Sequence, residues 1–391
     1  MGSALIEIFT DFAETTNFRV LTGPERMLNE AAKRSYLLGK LLKGNDAKII
    51  IQAGSKIRDY LMFDEQTTRQ AYQTGAETFT WANPQVVEHW EYDWRFHVDH
   101  LSYTENEIEL QAGDSGNPKE VFKRIMRIKE MRLETSSING MEADLWRAPI
   151  VSEMQGPTAK QWNSIPLFVT EATTGLFDPF SSAPFTDVGG LSPVTEPKWD
   201  NQRATYDENT PAAGADWTGF QAFDQLFYTT RVAQLPTREQ YSERPSWPNC
   251  IVTSRKGMNL YQRNCRLAND TFAATSRQDP AFPYVNYAGI ELYYVQQLDT
   301  AALYENDASD GLAAADAAGA LILGPRYYWL NTEHLKLVLH SRKFMQRGKA
   351  MHHPNQPFTW VIPTDTYANL ICSSRQRQGI ISPSTNLTDI S

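Results

Sequence analysis

Histidine and aspartate come together in two places along the chain: His97, Asp99 and His100 lie within four residues, and His352-His353 form a pair. Imidazole beside carboxylate is the raw material of a metal-dependent hydrolase, which needs several ligands converging on one ion. On an extended strand His97 and Asp99 share one face while His100 points to the other, so one strand cannot present all three. His352-His353 precede Pro354 and read as a loop. Other chemistries lack their parts. The sequence holds no Gly-x-x-x-x-Gly-Lys cradle, no Gly-x-Gly-x-x-Gly opening a helix and no Gly-x-Ser-x-Gly elbow, which argues against nucleotide chemistry and leaves no activated nucleophile. Cys250, Cys265 and Cys372 are odd in number and far apart, so they form neither a disulfide framework nor a zinc pattern, and a reducing compartment is the simplest reading. No catalytic residue, metal ligand or cofactor is assigned.

With 391 residues the chain is long enough for two or three domains and a sizeable core, and 37 Lys+Arg against 46 Asp+Glu leave it at −9. That acidic balance argues against sequence-specific nucleic-acid binding, where a basic footprint is expected. Glu7, Asp11 and Glu14 precede the first basic residue, Arg19, which is the opposite polarity to a signal peptide. The most apolar run, residues 312–323, is broken by Asp316 and Gly319, so no membrane span is expected.

The elements that must position any site follow from periodicity. Glu25, Leu28, Ala31, Ala32, Ser35, Leu38 and Leu42 recur at helical intervals after Gly23-Pro24. From Ile49-Ile50-Ile51 the pattern turns to strands around a polar middle rich in Thr and Gln, read as an extended hairpin. Residues 88–99 alternate strictly. Trp90, Tyr92, Trp94, Phe96 and Val98 fall on one face of a single expected strand, a core aromatic strand, with a carbohydrate-binding platform as the functional competitor. Asn117-Pro118-Lys119-Glu120 has the layout of a capping box and starts a helix that runs to Ser137 or on to Trp146. Its apolar stripe is Val121, Phe122, Ile125, Met126, Ile128 and Leu133, and Arg124, Arg127, Lys129 and Arg132 make the other faces basic. Beyond a proline-rich stretch over 155–217, helices near 218–233 and 260–272 alternate with strands at 250–253 and 289–298. Strands at 326–339, 358–363 and 367–373 close the chain. The class is α+β.

Three segments carry a resemblance. Val188-Gly189-Gly190-Leu191 with Lys198-Trp199-Asp200-Asn201-Gln202, then Cys250-Ile251-Val252-Thr253-Ser254-Arg255 with Tyr261, and finally residues 369–380 with their Asn-Leu, Cys-Ser, Arg-rich, Gln-Gly ending, resemble the major capsid proteins of tailed bacteriophages. The resemblance implies the Hong Kong 97-type fold: an N-terminal arm (1–48), an extended loop (49–87), a peripheral domain (88–165 and 320–365) with a spine helix near 118–146, and an axial domain (166–319 and 366–391). It implies a structural virion protein rather than an enzyme, assembling in the host cytoplasm into hexamers and pentamers of an icosahedral shell. Its partners would be other copies of itself, a portal protein, a separate scaffolding protein, a decoration protein, and double-stranded DNA through weak non-specific contact. The assembly contacts expected are Arg58, Tyr60, Phe63 and Arg69 on the loop, with Arg124, Arg127, Lys129 and Arg132 on the helix. The alternatives are the shell of a cellular nanocompartment with the same fold, and a metal-dependent hydrolase using His97 and Asp99.

Overall fold

The computed structural model describes residues 36–43, 48–51, 54–62, 87–107, 118–147, 149, 154, 159–171, 176–177, 184–185, 187–207, 218–231, 248–268, 285–299 and 325–383. The helices among them are α1 (Tyr36–Lys43), α2 (Pro118–Trp146), α3 (Ile165–Phe168), α4 (Thr218–Thr229) and α5 (Arg255–Ala268). The strands are β1 (Lys48–Ile51), β2 (Lys56–Met62), β3 (Val87–Asp93), β4 (Arg95–Thr104), β5 (Leu176–Phe177), β6 (Pro184–Phe185), β7 (Gln202–Tyr206), β8 (Cys250–Thr253), β9 (Val285–Tyr287), β10 (Ile290–Tyr294), β11 (Tyr327–Leu330), β12 (Leu335–His340), β13 (Gln346–Arg347), β14 (Met351–His353), β15 (Gln356–Cys372) and β16 (Gly379–Pro383). The α+β class expected from periodicity is what the chain adopts.

Two sheets dominate. The first is organised by β15, 17 residues long, which carries β4 along one edge and β12, β13 and β14 in turn along the other, with β1 parallel to β12 outside them. Pro363 sits inside β15 without breaking it, where a proline normally costs a ladder bond. Its carbonyl accepts from Gly348 N in the gap between β13 and β14, so the missing N–H falls where no strand asks for a donor. The two strands expected over 358–363 and 367–373 are therefore one. The second sheet runs β7-β16-β11-β8-β10-β9. Period two sends alternate residues of its central strands into different cores: Ile251, Tyr327, Trp329 and Ile381 pack with Phe223, Leu226 and Tyr261 of α4 and α5, whereas Val252, Tyr328, Leu330 and Ile380 face the core shared with the first sheet.

Helix α2 starts at Pro118 and its 29 residues span about 44 Å. Phe122 and Met126 pack with Leu101, Tyr103, Trp360 and Ile362 across the first sheet, and Ile138, Met141, Leu145 and Trp146 enter the shared core. Ile128, expected in the apolar stripe, is 53% exposed. It falls at i+6, one residue short of the i+7 position that would continue the buried i, i+3, i+4 set, and so turns away from the sheet.

The residues expected to form one aromatic strand form two. β3 pairs with β2 and β4 pairs with β15, and the chain steps from one sheet to the other at Trp94. Trp94 and Arg95 are buried consecutively, Trp94 by donating to Gly54 O (3.0 Å), Arg95 by donating to Met154 O (2.6 Å) and Ala159 O (3.0 Å). That step reverses the phase of burial. Trp90, Tyr92 and Trp94 are core, but Phe96 and Val98 are 60% and 63% exposed, while Leu101 and Tyr103 take the buried side. Phe96 is thus not part of a core aromatic face.

Further differences concern sheet membership. β1, placed at the start of the extended loop by the sequence reading, belongs to the first sheet, and the hairpin proper is β2 with β3. The strand expected over 326–339 is two: β11 lies in the second sheet between β16 and β8, and β12 pairs with β15 in the first. His352-His353 belong to β14 rather than a loop, with the His352 ring over Trp360 at 3.7 Å.

Candidate assembly site at the base of the extended hairpin

The β2–β3 hairpin pairs with no other strand among the described residues. Its alternation gives it two chemically different faces. Ile57, Leu61, Trp90 and Tyr92 are buried, with the Trp90 and Tyr92 rings 5.2 Å apart. On the other face Glu91 receives Lys56 at 2.6 Å and Arg58 at 2.7 Å. The Lys56 hydrogen bond, with the charges of both cations, holds the Glu91 carboxyl below the usual carboxylate range against a smaller opposing effect of burial. Tyr60, beside this pair, is 55% exposed.

The base of the hairpin is clamped to the body at Tyr92. The backbone N–H of Glu91 donates to Gly189 O (2.9 Å), within a tight turn closed by reciprocal Val188 and Leu191 backbone bonds. Gly189 has φ +65°, and a Cβ there would stand 2.8 Å from the Tyr92 ring, so both conformation and space require glycine. The Tyr92 hydroxyl donates to Cys372 O (3.2 Å), and its ring meets Phe168 edge-on at 5.8 Å. Full burial drives the Tyr92 phenol well above its ordinary range, so it remains a donor.

Around this clamp a buried polar network joins the two sheets. Trp199 Nε1 donates to Val188 O (2.9 Å), fixing the glycine turn. Asn201 donates to Thr170 O (2.9 Å) and Arg203 grips Asp200 in a bidentate pair (2.6 and 2.7 Å). Arg375, fully buried, donates to Phe168 O (2.8 Å), and burial pulls its proton affinity down from the arginine norm. Gln202 N donates to Gln378 O (2.9 Å), and the Gln378 amide brackets Asn331 with two bonds (2.8 and 3.1 Å). Residues 188–191, 198–202 and 369–380, three separate stretches of sequence, therefore close on one another and on Tyr92. Sequence reasoning singled out each stretch, but it placed Tyr92 only in a core strand. The available clue was a glycine pair that something large had to approach.

The other expected contact residues distribute as follows. Arg58 and Tyr60 lie on β2; Phe63 and Arg69 fall outside the described residues. Arg124 is in α2, with its side chain outside the described set. Lys129 is held within its own subunit by Ser102 O (3.0 Å) and Glu107 (2.6 Å), while Arg127 and Arg132 are exposed. His97 and Asp99 share a side of β4, as their spacing required. Asp99 accepts from Ser137 Oγ (2.7 Å), and His97 lies edge-on to Trp162 at 5.2 Å. Burial pushes the nearby Asp144 carboxyl up, with His97 and Arg147 opposing. Among the described residues no group of three His, Cys, Asp or Glu is arranged to hold a metal ion. Cys250, Cys265 and Cys372 are all buried free thiols, and desolvation pushes Cys250 up to about 11 and Cys372 up to about 12. Among the described residues no helix is long and apolar enough to cross a membrane.

No protein-family model matches the chain, and no curated protein does. Solved structures do. The capsid asymmetric unit of cyanophage A-1(L) superposes with a TM-score of 0.50 at 12% identity, covering 89% of this chain and 92% of that chain. The mature capsid of bacteriophage PhiM1 gives 0.44 at 12% identity over 88% and 87%. An encapsulin complex from Synechococcus elongatus PCC 7942 gives 0.41 at 8% identity over 88% and 86%. The two-sheet body, the long helix α2 and the separate hairpin, with a match that covers 89% of this chain and 92% of the cyanophage chain, show that this chain has the Hong Kong 97-type fold.

Proposed function

We propose that the chain is the major capsid subunit of a tailed bacteriophage, self-assembling into hexamers and pentamers of an icosahedral shell around double-stranded DNA. The observation that carries this reading is the overlap with the cyanophage A-1(L) capsid subunit over 89% of this chain and 92% of that one. Physical logic supports it. A two-stranded hairpin that pairs with no other strand among the described residues is a liability in a monomer and an interface when each copy covers the next. In this reading residues 1–48 are the arm, β2, β3 and the residues between them the extended loop, the first sheet with α2 the peripheral domain, and the second sheet with α4 and α5 the axial domain. Arg58, Tyr60, Phe63 and Arg69 reach a neighbouring subunit from the loop, and Arg124, Arg127 and Arg132 on α2 pair with acidic residues of the same or a neighbouring subunit; Lys129 supports the helix from within. The chain acts structurally rather than as an enzyme, assembles in the host bacterial cytoplasm and resides in the virion. Its other partners are a portal protein, a separate scaffolding protein and a decoration protein. The net charge of −9 keeps contact with the packaged DNA weak, so that the genome slides as it is wound in.

The test is electron microscopy and sedimentation of the expressed full chain, alone and with the scaffolding protein. Closed shells of uniform diameter are expected. A chain that stays monomeric at every concentration and with the scaffold present would remove the proposal. The double variant Arg58→Glu/Tyr60→Ser should fold normally and yield fewer shells.

A further inference from the structure

One stretch of the chain departs from its acidic balance. Between Glu333 and Asp365 there is no carboxylate, while Lys336, Arg342, Lys343, Arg347 and Lys349 are cations in a chain whose net charge is −9. All but Lys336 fall in residues 342–349, which form the turn after β12, the short strand β13 and the link to β14. That segment is a margin of the first sheet, since β13 and β14 pair with β15 alone among the described strands. Two carboxylates reach it and both are matched, Glu130 by Arg347 (2.6 Å) and Asp365 by Lys343 (2.9 Å). Arg342 and Lys349 are exposed and take no carboxylate among the described residues.

The backbone that carries these two cations is pinned. Ser341 N donates to Ile51 O (3.1 Å), Arg342 N to His340 Nδ1 (3.2 Å), Lys343 N to His340 O (3.2 Å) and Gly348 N to Pro363 O (2.7 Å). Met345 is buried inside the turn at φ +53°, a conformation that a residue other than glycine keeps only where its surroundings impose it. Over residues 341–350 the exposed side chains are Ser341, Arg342, Gln346 and Lys349, two cations and two neutral donors. A protein partner needs an apolar anchor, and none is exposed in this segment before Met351. Cations and neutral donors on a fixed backbone are what a phosphate chain takes. We infer that the margin from Ser341 to Lys349 is the surface on which this chain contacts the phosphates of duplex DNA, Arg342 and Lys349 neutralising charge and Ser341 and Gln346 donating hydrogen bonds. With two phosphates neutralised, affinity falls with salt only to about the second power, so each contact is weak and releases easily while the shell repeats it. The inference rests on the shell reading for the presence of the duplex, and it turns this margin of the first sheet towards the genome.

Retention of the dilute, unassembled full chain on duplex DNA-cellulose tests it. The parent chain should be retained at about 20 mM salt and elute before about 200 mM. Arg342→Gln/Lys349→Gln should flow through. Arg255→Gln/Arg263→Gln, which removes the same charge from two exposed positions of α5, should elute with the parent. Should the first variant not fold, the parent chain gives a second readout: acetylation of Lys349 should slow by about threefold or more when duplex is added at low salt, while that of Lys256 stays unchanged. A parent chain that flows through at low salt overturns the inference, as does equal loss of retention in both double variants, which would assign binding to net charge. So does Arg342→Gln/Lys349→Gln that is retained like the parent and yields fewer shells, which would make the margin a protein interface. Microscopy scores shell formation separately. Shells whose subunits bind duplex independently of Arg342 and Lys349 remove this inference alone, and binding that depends on them without shells removes the shell reading alone.

Discussion

The two sheets solve the same problem in opposite ways. In the second sheet β8, β11 and β16 are buried along their whole length, because helices α4 and α5 cover one face and the core shared with the first sheet covers the other. In the first sheet α2 covers only one face of β4 and β15, and Phe96, Val98 and Met351 remain exposed. A sheet closed on both faces owes its stability to its own chain. One left open on a single face has surface to offer a neighbour. Among the described strands, the first sheet exposes Ile50, Phe96, Val98, Met351 and Phe358 where the second exposes Tyr294, so the second sheet works as the anchor.

The comparison can be broken most directly at Trp329. It is fully buried against Phe223 and Tyr287 (ring centroids 5.6 and 5.8 Å), so Trp329→Ala should cost about 3–5 kcal/mol in urea denaturation. A cost under about 1 kcal/mol would mean that the second sheet is no anchor. Next in size is the crossover between the sheets. His334 is fully buried beside Ser373 Oγ (3.1 Å), and desolvation, assisted by the charges of Arg377 and Lys336, pushes it down to about 3. The folded chain keeps this imidazole neutral, while the unfolded chain binds a proton below about 6.5. Its contribution to stability is therefore complete above that pH and is lost as pH falls towards 3, about 2–4 kcal/mol by pH 4. Denaturation curves across pH 4–8 should show this slope in the parent chain and a shallower one in His334→Gln.

A smaller effect is expected at the clamp. Tyr92→Phe removes the bond to Cys372 O and should cost about 0.5–1.5 kcal/mol, with a looser hairpin read as faster amide exchange in β3. Unchanged exchange there would show that the hairpin is held without the hydroxyl. The smallest change in stability is predicted for the open face. Val98→Ser should stay within about 0.5 kcal/mol of the parent chain and still lower the yield of shells. Equal yield would sharpen the comparison by limiting assembly contacts to the hairpin and α2.

Local signals made much of this molecule readable in advance. Pro118 followed by Phe122, Ile125 and Met126 announces α2, because a helix start and its buried stripe depend on residues a few positions apart. Ile49-Ile50-Ile51 and residues 250–253 announce strands for the same reason. The glycine pair at 189–190 and the endings at 198–202 and 369–380 were legible as marked stretches, and so was the fold they resemble. Tertiary structure alone decided the partners. Alternation states that a residue faces one side of a strand, and it does not state which sheet the strand joins or what covers it. Hence the run from Trp90 to Val98, uniform in sequence, is core up to Trp94 and surface from Phe96, because the chain changes sheets between them. β11 joined the second sheet, and Tyr92 became the point where three distant stretches meet, through pairings with residues about 50 to 280 positions away. Contacts at that separation are set by how the whole core packs, and no local period encodes them.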